Sequence, residues 1–161
     1  MNMKIERKAM KKTITILLVL VMGISAFSQE TIEKNKTTVY ATVGYGWVLT
    51  STHINAERLI WEPGHTLFNE LWLRGSFGAF SGIFDIDGYS AIVSAQSISK
   101  GNKLHWDIGL GFTYSHGMTT GNGLLPAGNL GLRFQKPDNS LLVRAGVGFP
   151  EFVYLSAGYA F

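Results

Sequence analysis

From about residue 38 to the end of the chain, short segments recur in which apolar residues alternate with small or polar ones. That period of two predicts β-strands rather than helices. It is plain in the last ten residues, where Val153, Leu155, Ala157, Tyr159 and Phe161 form one row and Tyr154, Ser156, Gly158 and Ala160 the other. It is plainer still where Leu104, Trp106, Ile108, Leu110, Phe112 and Tyr114 alternate with His105, Asp107, Gly109, Gly111 and Thr113. A run of that length is what a tilted strand needs to cross a bilayer.

Extended along the chain, the same pattern predicts eight strands: Thr38–Val48, Thr52–Trp61, Leu67–Ala79, Tyr89–Ser99, Leu104–Tyr114, Pro126–Lys136, Ser140–Phe149 and Phe152–Phe161. The fourth has the shallowest alternation, with Ile92 out of phase. In the sixth, Pro126 is expected at the first position, because proline cannot donate to a ladder. Arg58 falls on an apolar row and is expected near a membrane edge, where a long side chain can snorkel. An even strand count puts both ends of the barrel on one side. The short connections near 62–66, 100–103 and 136–139 then share that side. Those near 49–51, 80–88, 115–125 and 150–151 lie opposite.

The segment ahead of the strands changes what composition means. Lys4, Arg7, Lys8, Lys11 and Lys12 precede an apolar run from Ile14 to Ile24, and Ala26 and Ser28 put small residues before Gln29. This is the order of a cleaved signal peptide, residues 1–28; the apolar run is short for a stop-transfer helix. A polar lead-in, 29–37, follows, and then the barrel domain, 38–161. The absence of cysteine excludes a lipoprotein anchor and disulfides. Of 14 Lys+Arg and 11 Asp+Glu, the first 28 residues hold five and one, leaving nine basic against ten acidic. The remainder is nearly neutral, so the basic pI carries no argument for nucleic-acid binding. With 19 Gly, 12% aromatic and only 16% charged residues, an exported chain of alternating segments fits a barrel whose backbone groups pair between strands. The fold class expected is therefore all-β: an eight-stranded antiparallel up-and-down transmembrane β-barrel. A secreted lipocalin-like barrel is the alternative, with the apolar rows turned inward. The Gly-rich rows opposite the aromatic ones would make a poor solvent surface, which favours the membrane barrel.

The closing strand resembles that of bacterial outer-membrane barrels, whose terminal aromatic is read by the barrel-assembly machinery. That likeness makes Tyr159 and Phe161 a candidate C-terminal assembly signal. The stretches INAERLIW (54–61), LWLRGSFG (71–78), GNKLHWDIGLGF (101–112), NLGLRFQKPDNSLLVRAGVGFP (129–150) and VYLSAGYAF (153–161) resemble a family of small outer-membrane β-barrel proteins of Bacteroidota-type bacteria, with an OmpA/OmpX-like eight-stranded architecture. The resemblance implies a fold and a location, the cell outer membrane of a Gram-negative bacterium. It carries no established activity, so no catalytic residue is transferred.

The candidate chemistry sits on the inward rows. Glu57, Glu70 and Asp107 face Arg74, Arg133 and Arg144, with His105 beside Asp107. An eight-stranded barrel is only wide enough to be filled by side chains, and charges buried there must pair. These seven residues are expected to form an ion-pair network closing the lumen. The sharper reading is a narrow, porin-like pore in which the same charges switch partners. His105-x-Asp107 would serve a hydrolase, but no Ser is held in register with a His and an acid on one face, and Ser115 and His116 diverge in a strand. Asp85-x-Asp87-Gly88 offers too few oxygens for calcium and reads as a turn. Trp47 and Trp106 are expected in a lipid-facing girdle, Trp61 at a strand end and Trp72 in the lumen. The expectation is thus a monomeric barrel without cofactor, metal or catalytic site. Its partners would be outer-membrane lipid and the assembly machinery, its role structural or surface-interacting, with a narrow pore second and a hydrolase third.

Overall fold

The computed structural model describes residues 36–62, 68–83, 86–99, 103–117, 122–135 and 140–161. The leader, most of the lead-in, Asp85 and the turns at 63–67, 100–102 and 136–139 lie outside them. The described residues form eight strands: β1 (Thr37–Tyr45), β2 (Leu49–Trp61), β3 (Phe68–Gly82), β4 (Asp87–Ser99), β5 (Leu104–His116), β6 (Gly123–Gln135), β7 (Leu141–Phe149) and β8 (Phe152–Ala160).

Each strand pairs antiparallel with the next, and β1 pairs with β8, so the sheet closes on itself and has no edge. The closing pair is also fastened at its base, where Thr37 and Phe161 exchange backbone hydrogen bonds of 3.0 and 2.9 Å. Closure is staggered. Partners followed around the wall from Thr37 lead through Arg58, Leu73, Ala95, Leu110 and Gly128 to Phe149, from the foot of β1 to the top of β7. A full circuit climbs by about ten residues, which for eight strands corresponds to a tilt of about 40°.

The alternating rows face as the pattern predicts. Apolar and aromatic side chains such as Val43, Phe77, Val93, Leu110, Phe112 and Leu155 are exposed on the outer wall, while Thr38, Asn55, Glu57, Arg74, Asp107, Arg133 and Arg144 are buried inside. The inverted, lipocalin-like arrangement is not the one observed. Many inward positions are glycine because large inward side chains lie across them. A Cβ at Gly158 would meet Tyr40, one at Gly131 or Gly146 the Tyr154 hydroxyl, one at Gly88 the Phe80 ring at 2.6 Å.

Three expectations need correction. β2 begins at Leu49 and β3 runs on to Gly82, because Leu49 still pairs with Gly82; the β1–β2 and β3–β4 connections fall at other residues than alternation alone suggested, and the second is shorter. Ile92 is in phase: it is a buried member of the inward row with Ser90, Ser94 and Gln96, a lumen filler among polar neighbours. Pro126 is not the first residue of its strand, since β6 begins at Gly123 and Pro126 pairs with Phe112. It lies beyond the last β6–β7 pair, Gly128–Phe149. There is therefore no ladder on its β7 side for a missing donor to break.

Strand lengths are uneven. β7, β8 and β1, contiguous around the closure, have nine residues each, whereas β2 to β6 have thirteen to fifteen. The feet of the strands are level, so the wall is stepped at the end away from the chain terminus.

Candidate functional site

The lumen is built around one carboxylate. Glu57, inward on β2, is 1% exposed. Its Oε2 accepts from Arg133 Nη1 at 2.7 Å and from Thr38 Oγ1 at 3.2 Å; its Oε1 accepts from Arg144 Nη1 at 3.0 Å and from the Tyr40 hydroxyl. Arg133 is on β6 and Arg144 on β7, so these bonds cross the lumen from wall to wall. Arg144 continues the chain: its Nη1 also donates to Tyr40, and its Nη2 lies 2.6 Å from Asp107 Oδ2 on β5, an ion pair whose angle falls short of a hydrogen bond. Asp107 Oδ1 accepts from Asn129 at 3.5 Å.

Aromatic faces complete the packing around the guanidiniums. Arg133 lies 4.8 Å over the Trp72 ring, and Arg144 lies 4.8 Å over Tyr40 and 5.8 Å from Tyr154. Cations over rings are favoured where water is excluded. Toward the chain terminus, Ile98, Leu142 and Trp72 are buried beside this layer, so the charged residues rest on an apolar base.

Arg74 has a separate partner. Its Nε donates to Asn55 Oδ1 at 2.8 Å and its Nη2 to Glu151. Glu151 belongs to the two-residue connection between β7 and β8, followed by Phe152 with φ of 57°. The turn drops its carboxylate into the barrel, where it is 2% exposed.

Of the seven residues expected to close the lumen, the structure joins Glu57, Asp107, Arg133 and Arg144 directly. Glu70 is half-buried and accepts from Trp72 Nε1 at 2.8 Å, which links it to Arg133 through that ring. His105 departs from the expectation: its Nδ1 meets the Ser99 carbonyl at 2.8 Å, while Asp107 turns to Arg144 and Asn129. The hydrolase arrangement His105-x-Asp107 therefore does not assemble. Ser115 faces inward and His116 outward, stacked on Tyr89 at 4.8 Å. Asp87 opens β4 on the exposed side, opposite Ser81. Trp47, Trp61 and Trp106 are exposed and Trp72 is in the lumen. Tyr159 is on the outer wall of β8, opposite Val39 and Leu141, and Phe161 follows it at the β1 foot.

Sequence reasoning missed Glu151, Tyr40, Asn55 and His53. Tyr40 and Asn55 sit visibly on inward rows, yet partners across a lumen depend on the stagger of closure. Glu151 lies in a turn, where alternation has no meaning.

No protein-family model matches this chain, and no curated protein matches it in sequence. Among solved structures it is similar to the N-terminal β-barrel domain of Pseudomonas aeruginosa OprF, with a TM-score of 0.53 over 80% of this chain and 98% of that one. At 13% identity the likeness is one of fold: a closed eight-stranded antiparallel barrel resembling the barrel domain of an outer-membrane protein.

Proposed function

We propose that this chain is a Gram-negative outer-membrane barrel with a closed lumen, acting as a membrane-spanning scaffold that presents its connections at the surface. The observation that carries the proposal is the pairing of an apolar outer wall with Glu57, whose carboxylate joins Arg133 and Arg144 across the interior. A charged interior inside an apolar exterior suits a bilayer as solvent. The fold likeness and the signal-like leader support the same location. In this reading residues 1–28 are removed on export, lipid surrounds the outer wall, the assembly machinery reads Tyr159 and Phe161 on the last strand, and the protein is monomeric.

Fractionation and heat-modifiability test it together. The protein is expected in the outer membrane, running faster on a gel before boiling than after. Removing Phe161 takes away the two backbone bonds to Thr37 and is expected to deplete the fast band. A protein recovered in the periplasm without a mobility shift would end the proposal. Planar-bilayer recording separates scaffold from pore: no conductance is expected from the wild type, and steady conductance would favour a narrow pore.

A further inference from the structure

Arg58 stands apart from the other arginines of the barrel. Arg74, Arg133 and Arg144 each face a buried carboxylate in the lumen, whereas Arg58 is exposed on the outer wall of β2. It forms no hydrogen bond or ion pair with any other described residue. Among the described strand residues the outer wall carries one other charge, Asp87, at the opposite end of the wall. Arg58 lies opposite Thr37, the first residue of β1, and Leu73 on β3, which puts it near the foot of the wall. Exposed aromatic residues mark the same end on three other sides: Trp61 on β2, Trp106 on β5 and Tyr159 on β8. Aromatic belts of this kind sit at the level of lipid headgroups, and an outward guanidinium is tolerated there far better than at mid-bilayer.

Toward the middle of the wall from Arg58 the surface is dented. The next outward pair is Ala56 and Gly75; both are exposed, and a Cβ at Gly75 meets nothing within 4 Å. Val39 and Val93 flank this pair along the ladder, and the larger Ile54 and Phe77 form the pair beyond it. An unpaired cation at headgroup level is thus followed, in the direction of the bilayer centre, by a shallow apolar recess. That is the order of a phospholipid, phosphate first and acyl chain after. The planar fork of a guanidinium matches phosphate oxygens, and the pairing is strengthened where little water competes.

We propose that Arg58 binds the phosphate of a glycerophospholipid in the leaflet on the side of the chain terminus, with one acyl chain laid over Ala56 and Gly75. The proposal rests on the reading of the outer wall as membrane-spanning.

Native mass spectrometry tests it. The protein is refolded in dodecyl maltoside micelles, checked for the heat-modifiable form, and offered equal amounts of dioleoyl phosphatidylglycerol and dioleoylglycerol, which has the same chains and no phosphate. The wild type is expected to retain the phospholipid several-fold better than dioleoylglycerol. Arg58→Gln is expected to lose that preference, and Arg58→Lys, which keeps the charge, to hold more phospholipid than Arg58→Gln. Gly75→Leu, which fills the dent, is expected to lower retention several-fold. Equal retention of the two lipids by the wild type, or of the phospholipid by wild type and folded Arg58→Gln, would overturn the phosphate site. Unchanged retention by folded Gly75→Leu would overturn the seat of the chain. The wild-type comparison decides whether or not a variant folds. A wild type that stays in solution without detergent or lipid would end the membrane reading itself, whereas a detergent-dependent, heat-modifiable barrel indifferent to Arg58 ends this proposal alone.

Discussion

Glu57 collects four donors from β1, β6 and β7, so its removal takes the carboxylate from Arg133 and leaves Arg144 with that of Asp107 alone. Breaking a buried pair on one side typically costs about 3–5 kcal/mol. Glu57→Ala is expected to lose stability of that order in urea titrations of the refolded barrel; a loss under about 1 kcal/mol would show the network to be energetically idle. Tyr40→Phe deletes one hydroxyl but leaves the ring over Arg144, and is expected to cost only about 1 kcal/mol in the same titration. Two glycines three apart in β3, one on the outward and one on the inward row, make a sharper pair. A Cβ at Gly75 meets nothing within 4 Å, whereas one at Gly78 collides with the Thr52 carbonyl and the His53 ring. Gly75→Ala is therefore expected to fold with unchanged urea midpoint, and Gly78→Val to lose the heat-modifiable band. If both behave alike, the packing of His53 across Gly78 is not as described. Alternation puts Gly75 on the outward row and Gly78 on the inward one, but that the His53 ring lies across Gly78 is not written in β3, because what lies beside a glycine belongs to the neighbouring strands.

Strands were legible wherever the rows were unmixed, as in β5 and β8, and their limits blurred where polar residues occur on both rows. Leu49 to Ser51 read as a turn because Thr50 and Ser51 look alike on either face, yet the β2–β3 ladder continues through them to Gly82. Pro126 misled in the other direction: a proline inside a strand is disfavoured only if a partner waits for its N–H. Since none does on the β7 side, Pro126→Ala is expected to shift stability by less than about 0.5 kcal/mol, measured by the same urea titration; a larger gain would mean that the proline interrupts a ladder after all. The lumen network was half legible for a related reason. Alternation puts Glu57, Asp107, Arg133 and Arg144 inside, whereas the stagger that sets Glu57 level with Arg133 and Arg144 is a property of closure. No single strand records it.

The whole barrel is a polar interior in an apolar sleeve, and that contrast can be tested on the sleeve. Leu110 is 73% exposed near mid-height on the outer wall. In a bilayer, Leu110→Arg is expected to cost about 2–4 kcal/mol, read from folding titrations in lipid vesicles; on a water-facing wall the same change stays within about 0.5 kcal/mol. The stepped wall has a consequence of its own. Nine-residue strands beside thirteen-residue ones lower the rim by about 10 Å along β7, β8 and β1, at roughly 3.3 Å per residue and a tilt near 40°. Trp47, 98% exposed, stands at that notch. In a barrel that spans a membrane as proposed, a sleeve of unequal height is mismatched to a bilayer of uniform thickness, so either the axis leans or the leaflet thins beside the seam where the chain closes. Vesicles of shorter-chain lipid are accordingly expected to admit the protein more readily than those of longer-chain lipid, and the lipid film is expected to be thinnest where the first strand meets the last.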